Sequence, residues 1–501
     1  MVDFCGADFD ANAPVLVGVG EASGLVAGLD WPSPTKLAAI AVKAALADSG
    51  QAAALAGAVD CLAAMRLFED SGMPLGAESP DNVPDAYARA AGLSPAKLIY
   101  GDVGGQSPQA MVNEIASALQ RGEIKAAVIA GAEAVGAVKR ARKQGRELDW
   151  SAASDRGYDD RLSDYPILSR AEIRHAIISM PRAYSLIENA RRLRLGIDDA
   201  AYANEMAAMW SEFSAKSLAR EHAQFARELS AEELLSDANG NYQLTSVYRR
   251  WMVAQDRVDV GGALILTTAG AARAMNIAED KMVWLAGAGE AAEPPYSERV
   301  NLSGSDAQAF AIEAALDQAG VTGADLGPVD IYSCFPCAVF TATDVMEMPS
   351  RSYGDYTLTG GLTFFGGPGN CYSLHAIAAM VQALRGDGSK PALVTANGGV
   401  LSKHAAGVYT ASQPAKPWAG GAAQGYQANK LEINHAPSGR AKILTHMRPV
   451  SRDGPGAATL IIETEQGGRA LAVLEGSADA NLDHATVEIT LGEKRHAARL
   501  A

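Results

Sequence analysis

Residues 371–387, CYSLHAIAAMVQALRGD, follow the pattern of residues 107–123, SPQAMVNEIASALQRGE, 264 positions earlier. Both stretches space their apolar residues three and four apart, as a helix with a buried face requires. Both end in Arg-Gly (Arg121-Gly122 and Arg385-Gly386), a helix stop. A glycine turn precedes each, DVGGQ and GGPGN, and an apolar strand pattern follows each, AAVIAGAEA at 126–134 and ALVTANGG at 392–399. A second pair agrees: AAIAVKAALADSG at 38–50 resembles QAFAIEAALDQAG at 308–320 at an offset of 270. That offset also sets Val59-Asp60 on Val329-Asp330. The chain is therefore a duplication, with two α/β halves over 13–135 and 283–412.

The remaining segments differ in texture. Residues 140–257 are charged, rich in Arg and Tyr and mostly helical, which marks an inserted subdomain. VDVGGALILTTAG at 258–270 reads as a strand returning to complete the first half. Past about 415 the pattern becomes short alternating strands split by Gly and Pro, a small β domain of barrel type. The boundaries expected are 1–139 for the first half, 140–257 for the insertion, 258–282 for its completion, 283–413 for the second half and 414–501 for the β domain.

Composition excludes several classes. Of 501 residues 48% are hydrophobic, ample for several cores, and no apolar run is long enough to span a membrane. A net charge of −15 repels a phosphate backbone, so no nucleic-acid partner is expected. The first residues show neither a basic nor an apolar leader segment. Five cysteines, Cys5, Cys61, Cys334, Cys337 and Cys371, are too few and too odd for a disulfide framework and fit a reducing cytoplasm. Cys334 and Cys337 lack the second pair that a zinc site would need, so no metal is expected.

The duplicated core, the helical insertion and the ordered segments VGGQSPQA, AAVIAGAEA, VDIYSCFP, GGLTFFGGPGN and NGG resemble the thiolase superfamily over residues 13–412. With the β tail the chain looks like the thiolase-like proteins of type 1, often labelled acetyl-CoA acetyltransferase. The resemblance implies an α/β fold layered α-β-α-β-α, an acyltransferase of acyl-CoA and lipid metabolism, and CoA or an acyl-CoA as ligand. It also implies pairing into a dimer through an edge strand of the first half, with a monomer as the alternative if the added β domain covers that edge.

Ordinary thiolases attack with a cysteine thiolate at a helix N-terminus, with a histidine, an Asn/His-held water and a second cysteine assisting. By this resemblance the nucleophile's place falls on Gly104, the Asn/His on Tyr332, the Gly-His-Pro histidine on Gly367 and the acid cysteine on Ala396. All four roles are vacant or changed, so acyl transfer by that route is not expected. The two glycine turns are expected to converge and could offer backbone N–H groups to a thioester oxygen.

Several side chains could act instead. Tyr332 could serve as the base of a retro-aldol cleavage, or merely fill the lost volume. His375 could be a replacement base, or a core histidine joined across the halves; His404 has the same two readings. Cys371 could be an alternative nucleophile at a helix start, or a small buried cap. Asn397 could donate to a carbonyl, or sit as a left-handed turn residue. Cys334 is taken as packing. Arg182, Arg191, Arg192 and Arg194 could hold CoA phosphates, or form a solvated helix face. Three functions follow: a thioester-binding protein, a C–C lyase or acyltransferase using Tyr332, His375 or Cys371, and a partner module without catalysis.

Overall fold

A computed structural model describes residues 9–72, 74–346, 348, 351–476 and 480–501; Cys5 lies outside them. The first half carries strands β1 (Pro14–Ser23), β2 (Cys61–Ala64), β3 (Lys97–Tyr100), β4 (Ala126–Ala134), β5 (Asp159–Asp160) and β6 (Asp259–Thr268). The second carries β7 (Val283–Ala292), β8 (Val329–Asp330), β9 (Ala392–Gly398) and β10 (Lys403–Thr410). They run in the order β5-β3-β2-β4-β6-β1-β7-β10-β9-β8. The halves join at β1 and β7 by only two residue pairs, Val15 with Trp284 and Leu16 with Val283.

The repeated helices, Ser107–Gln120 and Tyr372–Gly386, lie between the two half-sheets and contact strands of both. This is why every position of the second one from Tyr372 to Val381 is buried. Outer helices Pro34–Asp48 and Asp306–Ala319 cover the other faces, giving the layers α-β-α-β-α. The duplication persists in the packing. A Cβ at Gly18 or Gly20 would lie 2.1 Å from the carbonyls of Ala45 and Ala41, and one at Gly287 or Gly289 would lie 2.2 Å from those of Ala315 and Ala311. Glycine at these four places lets the outer helix rest on the strand backbone.

The expected returning strand is β6, which lies antiparallel between β4 and β1. The C-terminal region forms a closed barrel of β11 (Gly439–Met447), β14 (Thr459–Thr464), β15 (Arg469–Leu474), β17 (Ala497–Leu500) and β16 (Thr486–Thr490). β12 (Val450–Ser451) and β13 (Gly454–Pro455) make a small ribbon beside it. The insertion grips this barrel: Thr445 donates to the Leu186 carbonyl at 2.7 Å, and Arg192 pairs with Asp483 at 2.6 Å. No helix among the described residues is long and apolar enough to cross a membrane.

β5 has no counterpart in the sequence pattern. It runs parallel to β3, with Asp159 and Asp160 opposite Ile99 and Tyr100, and so covers the outer edge of the first half-sheet. The Arg161 N–H donates to the Tyr100 carbonyl at 2.9 Å, and Arg66 pairs with Asp160. The cover therefore comes from the inserted segment rather than from the barrel.

Candidate functional site

The two glycine turns meet. The Gly104 N–H donates to Asn370 Oδ1 at 2.8 Å, and Asn370 Nδ2 donates to the Arg66 carbonyl at 2.7 Å. Ser373 Oγ, in the first turn of the second central helix, donates to the Gly105 carbonyl at 2.9 Å. Side chains fill the space between the turns. A Cβ at Gly105 would lie 2.1 Å from the Tyr332 hydroxyl and 2.6 Å from the Asn397 carbonyl. Gln106 Oε1 lies where a Cβ at Gly104 (2.1 Å) or at Gly398 (1.8 Å) would be. Gly104 has φ near +124°, a conformation that excludes most side chains.

A third group comes from the insertion. Tyr184, on helix Met180–Leu195, accepts from Asn397 Nδ2 at 3.0 Å and from the Leu401 N–H at 2.9 Å, and donates to the Gly399 carbonyl at 3.1 Å. Its ring stacks on Phe335 with centroids 4.1 Å apart. Asn397 also donates to Cys334 Sγ at 3.4 Å. Asn397 sits in β9 opposite His404, so it is a strand residue, not the left-handed turn residue; that conformation belongs to Gly399 and Leu401. Ala396 lies beside it in the strand, and the Gly367 N–H is spent on the Gln255 carbonyl at 2.8 Å.

Burial sets the titration of the candidates. It pushes the Tyr332 phenol well above the ordinary range, with Cys334 and Cys371 beside it adding to the rise. Burial likewise raises the Cys371 thiol, whose Sγ donates to the Pro368 carbonyl at 3.0 Å, and lifts Cys334 to about 12. A low-pKa nucleophile needs the reverse. His404 is lowered to about 3 by burial and lies 3.0 Å from Ser305 Oγ. His375 is fully buried, with Nδ1 2.8 Å from Glu21 Oε1 and Nε2 without a partner among the described residues.

The four arginines all engage groups within the chain. Arg191 and Arg194 meet Asp344 at 3.0 and 3.3 Å, and Arg191 lies over the Phe340 ring. Arg192 is bound by Asp483 and Asn189, and Arg182 donates to the Ala176 carbonyl at 3.0 Å. Arg191 and Arg194 tie the insertion to the second half and Arg192 ties it to the barrel, whereas the Arg182 bond stays within the insertion.

The chain matches no family model and no curated protein. A solved structure described as a monomeric SCP2-thiolase like protein type 1 from Mycobacterium smegmatis does match it. The TM-score is 0.82 and the identity 31%, over 98% of this chain and all of that one. The chain belongs to the SCP2-thiolase-like proteins of type 1. Two others share the fold alone: a Ltp2-ChsH2(DUF35) aldolase (TM-score 0.57, 19% identity, 80% of this chain and 98% of that one) and the dimeric peroxisomal thiolase of Saccharomyces cerevisiae (0.56, 14%, 80% and 98%).

In this type 1 chain Gly104, Gly105, Tyr332 and Asn397 lie together, with hydroxyl and amide side chains in the space between them, whereas Gly367 faces Ala254, Gln255 and Leu362. Gln106 and Tyr184 have no distinguishing mark in the sequence beyond the turn and the amphipathic helix that carry them. A further site-like feature of the thiolase-like core is a groove of about 730 Å³ along helix Ser107–Gln120, lined in part by Gln106, Lys403 and His404. A sequence signal near it is the pair GVGEA (18–22) and GAGEA (287–291), offset by 269.

Proposed function

We propose that this protein binds CoA or an acyl-CoA thioester and does not carry out thiolase acyl transfer. The observation that carries the second part is Gln106 Oε1, which lies 2.1 Å from where a Cβ at Gly104 would be, in the space a nucleophile's side chain would need, with the Tyr332 hydroxyl seated against the neighbouring Gly105. Loss of the covalent acyl-enzyme removes the division of one hard step into two easier ones. Membership of the thiolase superfamily supports the ligand class. Four buried cysteines, all free, support a reducing cytoplasmic setting, and membership of the superfamily supports a place in lipid metabolism. Of the four candidate arginines Arg194 is the one with a half-exposed side chain, so a CoA phosphate would meet it first.

The test is calorimetry with CoA and acetyl-CoA, together with a thiolysis assay on acetoacetyl-CoA. Binding without turnover is expected. No heat at millimolar CoA, or turnover above background, overturns the reading.

A C–C lyase is the second reading, because a phenol stands against Gly105, next to the vacated nucleophile position Gly104. Tyr332 would have to ionise against its burial, so a bound ligand would have to supply the compensating charge. Cleavage of a β-hydroxyacyl-CoA, abolished in Tyr332→Phe, would establish it over the first. A partner module without any ligand is the reading left if both assays are silent.

A further inference from the structure

Glu21 and Glu290 occupy equivalent places in the two halves. Each follows a Gly-x-Gly at the same offset of 269, and each lies opposite the returning strand of its half, Gly262 of β6 or Ala405 of β10. Each reaches a side chain of a central helix. Glu21 Oε1 meets His375 Nδ1 at 2.8 Å, and Glu290 Oε1 accepts from Asn113 Nδ2 at 2.8 Å. The halves differ at the other carboxylate oxygen. Glu21 Oε2 receives the Arg220 guanidinium at 2.5 Å, delivered by the insertion that only the first half carries. Glu290 Oε2 has no partner among the described residues, and its surroundings are the 730 Å³ groove.

The groove is built around that carboxylate. Tyr409 donates to Gln109 Oε1 at 2.7 Å, Gln109 Nε2 to Asn113 Oδ1 at 2.9 Å, and Asn113 Nδ2 to Glu290. All the donors of this buried relay point one way, which fixes Glu290 as the final acceptor. Gly407 makes room for it, since a Cβ there would lie 2.4 Å from Gln109 Nε2. The cations lining the groove are taken: Lys403 by Asp102 at 2.7 Å, Arg161 by Glu114 at 2.7 Å, Arg121 by Glu123 at 2.6 Å. Glu290 is the one lining carboxylate with no cationic partner among the described residues. The segment 420–426 walls the opening, held by the Ala423 N–H on the Ala288 carbonyl at 2.9 Å. The volume falls in the range of small-molecule sites.

We infer that this groove binds a small molecule bearing a guanidinium group, which takes on Glu290 the place that Arg220 takes on Glu21. The planar fork matches a carboxylate with a free oxygen. The groove adjoins the vacated nucleophile position, since Gln106 lines it, but the guanidinium site rests on Glu290 and does not depend on thioester binding.

Calorimetry with butylguanidinium and its neutral isostere butylurea tests the inference on the full chain. Butylguanidinium is expected to bind at least tenfold more tightly than butylurea, and Glu290→Gln is expected to abolish that preference. The replacement amide still accepts from Asn113, and a thermal melt checks its fold. Equal binding of the two probes to the wild-type protein, no binding of butylguanidinium at 50 mM on the order used for weak fragments, or full binding by a folded Glu290→Gln overturns it. The wild-type comparison stands alone if the variant fails to fold.

Discussion

The Tyr332 hydroxyl and the Gly105 Cα exclude each other's enlargement: a Cβ at 105 would lie 2.1 Å from that oxygen and 2.4 Å from Tyr332 Cζ. Gly105→Ala is therefore expected to destabilise the protein by about 1–3 kcal/mol, the usual cost of overpacking. In a Tyr332→Ala background the same change should cost less. The Asn397 carbonyl, 2.6 Å from the added carbon, keeps the relief partial. Urea unfolding of the four proteins in the cycle measures the coupling, and additive effects would contradict the contact.

Restoring a cysteine at the nucleophile's place should not restore the reaction. Gly104→Cys puts a side chain at φ near +124° and a Cβ 2.1 Å from Gln106 Oε1. Backbone strain of this kind costs about 1–3 kcal/mol. Gly367 and Ala396 still supply neither base nor acid, and groups that act as a unit fail together. Acetoacetyl-CoA thiolysis by the variant is expected to stay at background. Measurable turnover would show that Tyr332 and the turn backbone suffice.

The layered core was legible because its signals are periodic and doubled. Two helices and their glycine stops recur at fixed offsets, and the four glycines of β1 and β7 fit the same repeat. β5 was not legible: Asp159-Asp160 has no strand pattern, and its place comes from Arg66 and from the Arg161 N–H, both tertiary contacts. At the site, the resemblance singles out Gly104, but not the Gln106 and Tyr332 side chains that fill the space beside it. Tyr184 is one residue of an amphipathic helix until the fold brings it to Asn397. GVGEA and GAGEA are visible as a repeat, yet which glutamate has a cation is not. Arg220 lies 199 positions from the Glu21 it neutralises.

The covered edge of β3 predicts a monomer. A second copy would have to add its strand where β5 already pairs. Sedimentation equilibrium should return a mass near 52.1 kDa. Arg161→Pro removes the N–H that donates to Tyr100, and concentration-dependent association is expected from it. A wild-type mass near twice the chain's would overturn the argument.

Acid should loosen the junction between insertion and barrel through His175. Its Nδ1 lies 2.8 Å from the Ala171 carbonyl and its Nε2 accepts the His496 N–H at 3.1 Å, so the native ring is the neutral Nδ1–H tautomer. A second proton would set two N–H donors against each other. Burial, with the charges of His496, Arg174 and Arg495 nearby, lowers this histidine to about 4. Between about pH 6.5 and 4 the unfolded chain then binds the proton and the native chain does not, so this contribution to stability falls as pH falls. From pH 7 to pH 5 it amounts to about 2 kcal/mol. Glu133, raised to about 8 by burial, and Asp330, raised to about 6, act in the opposite sense, because the native chain holds their protons. The slope of the wild-type protein alone is thus a sum, and the informative quantity is the difference from His175→Gln. Urea unfolding at pH 7 and pH 5 should show the wild-type protein losing about 2 kcal/mol more than the variant over that interval. Parallel pH dependence in the two would mean that His175 takes its proton without leaving His496.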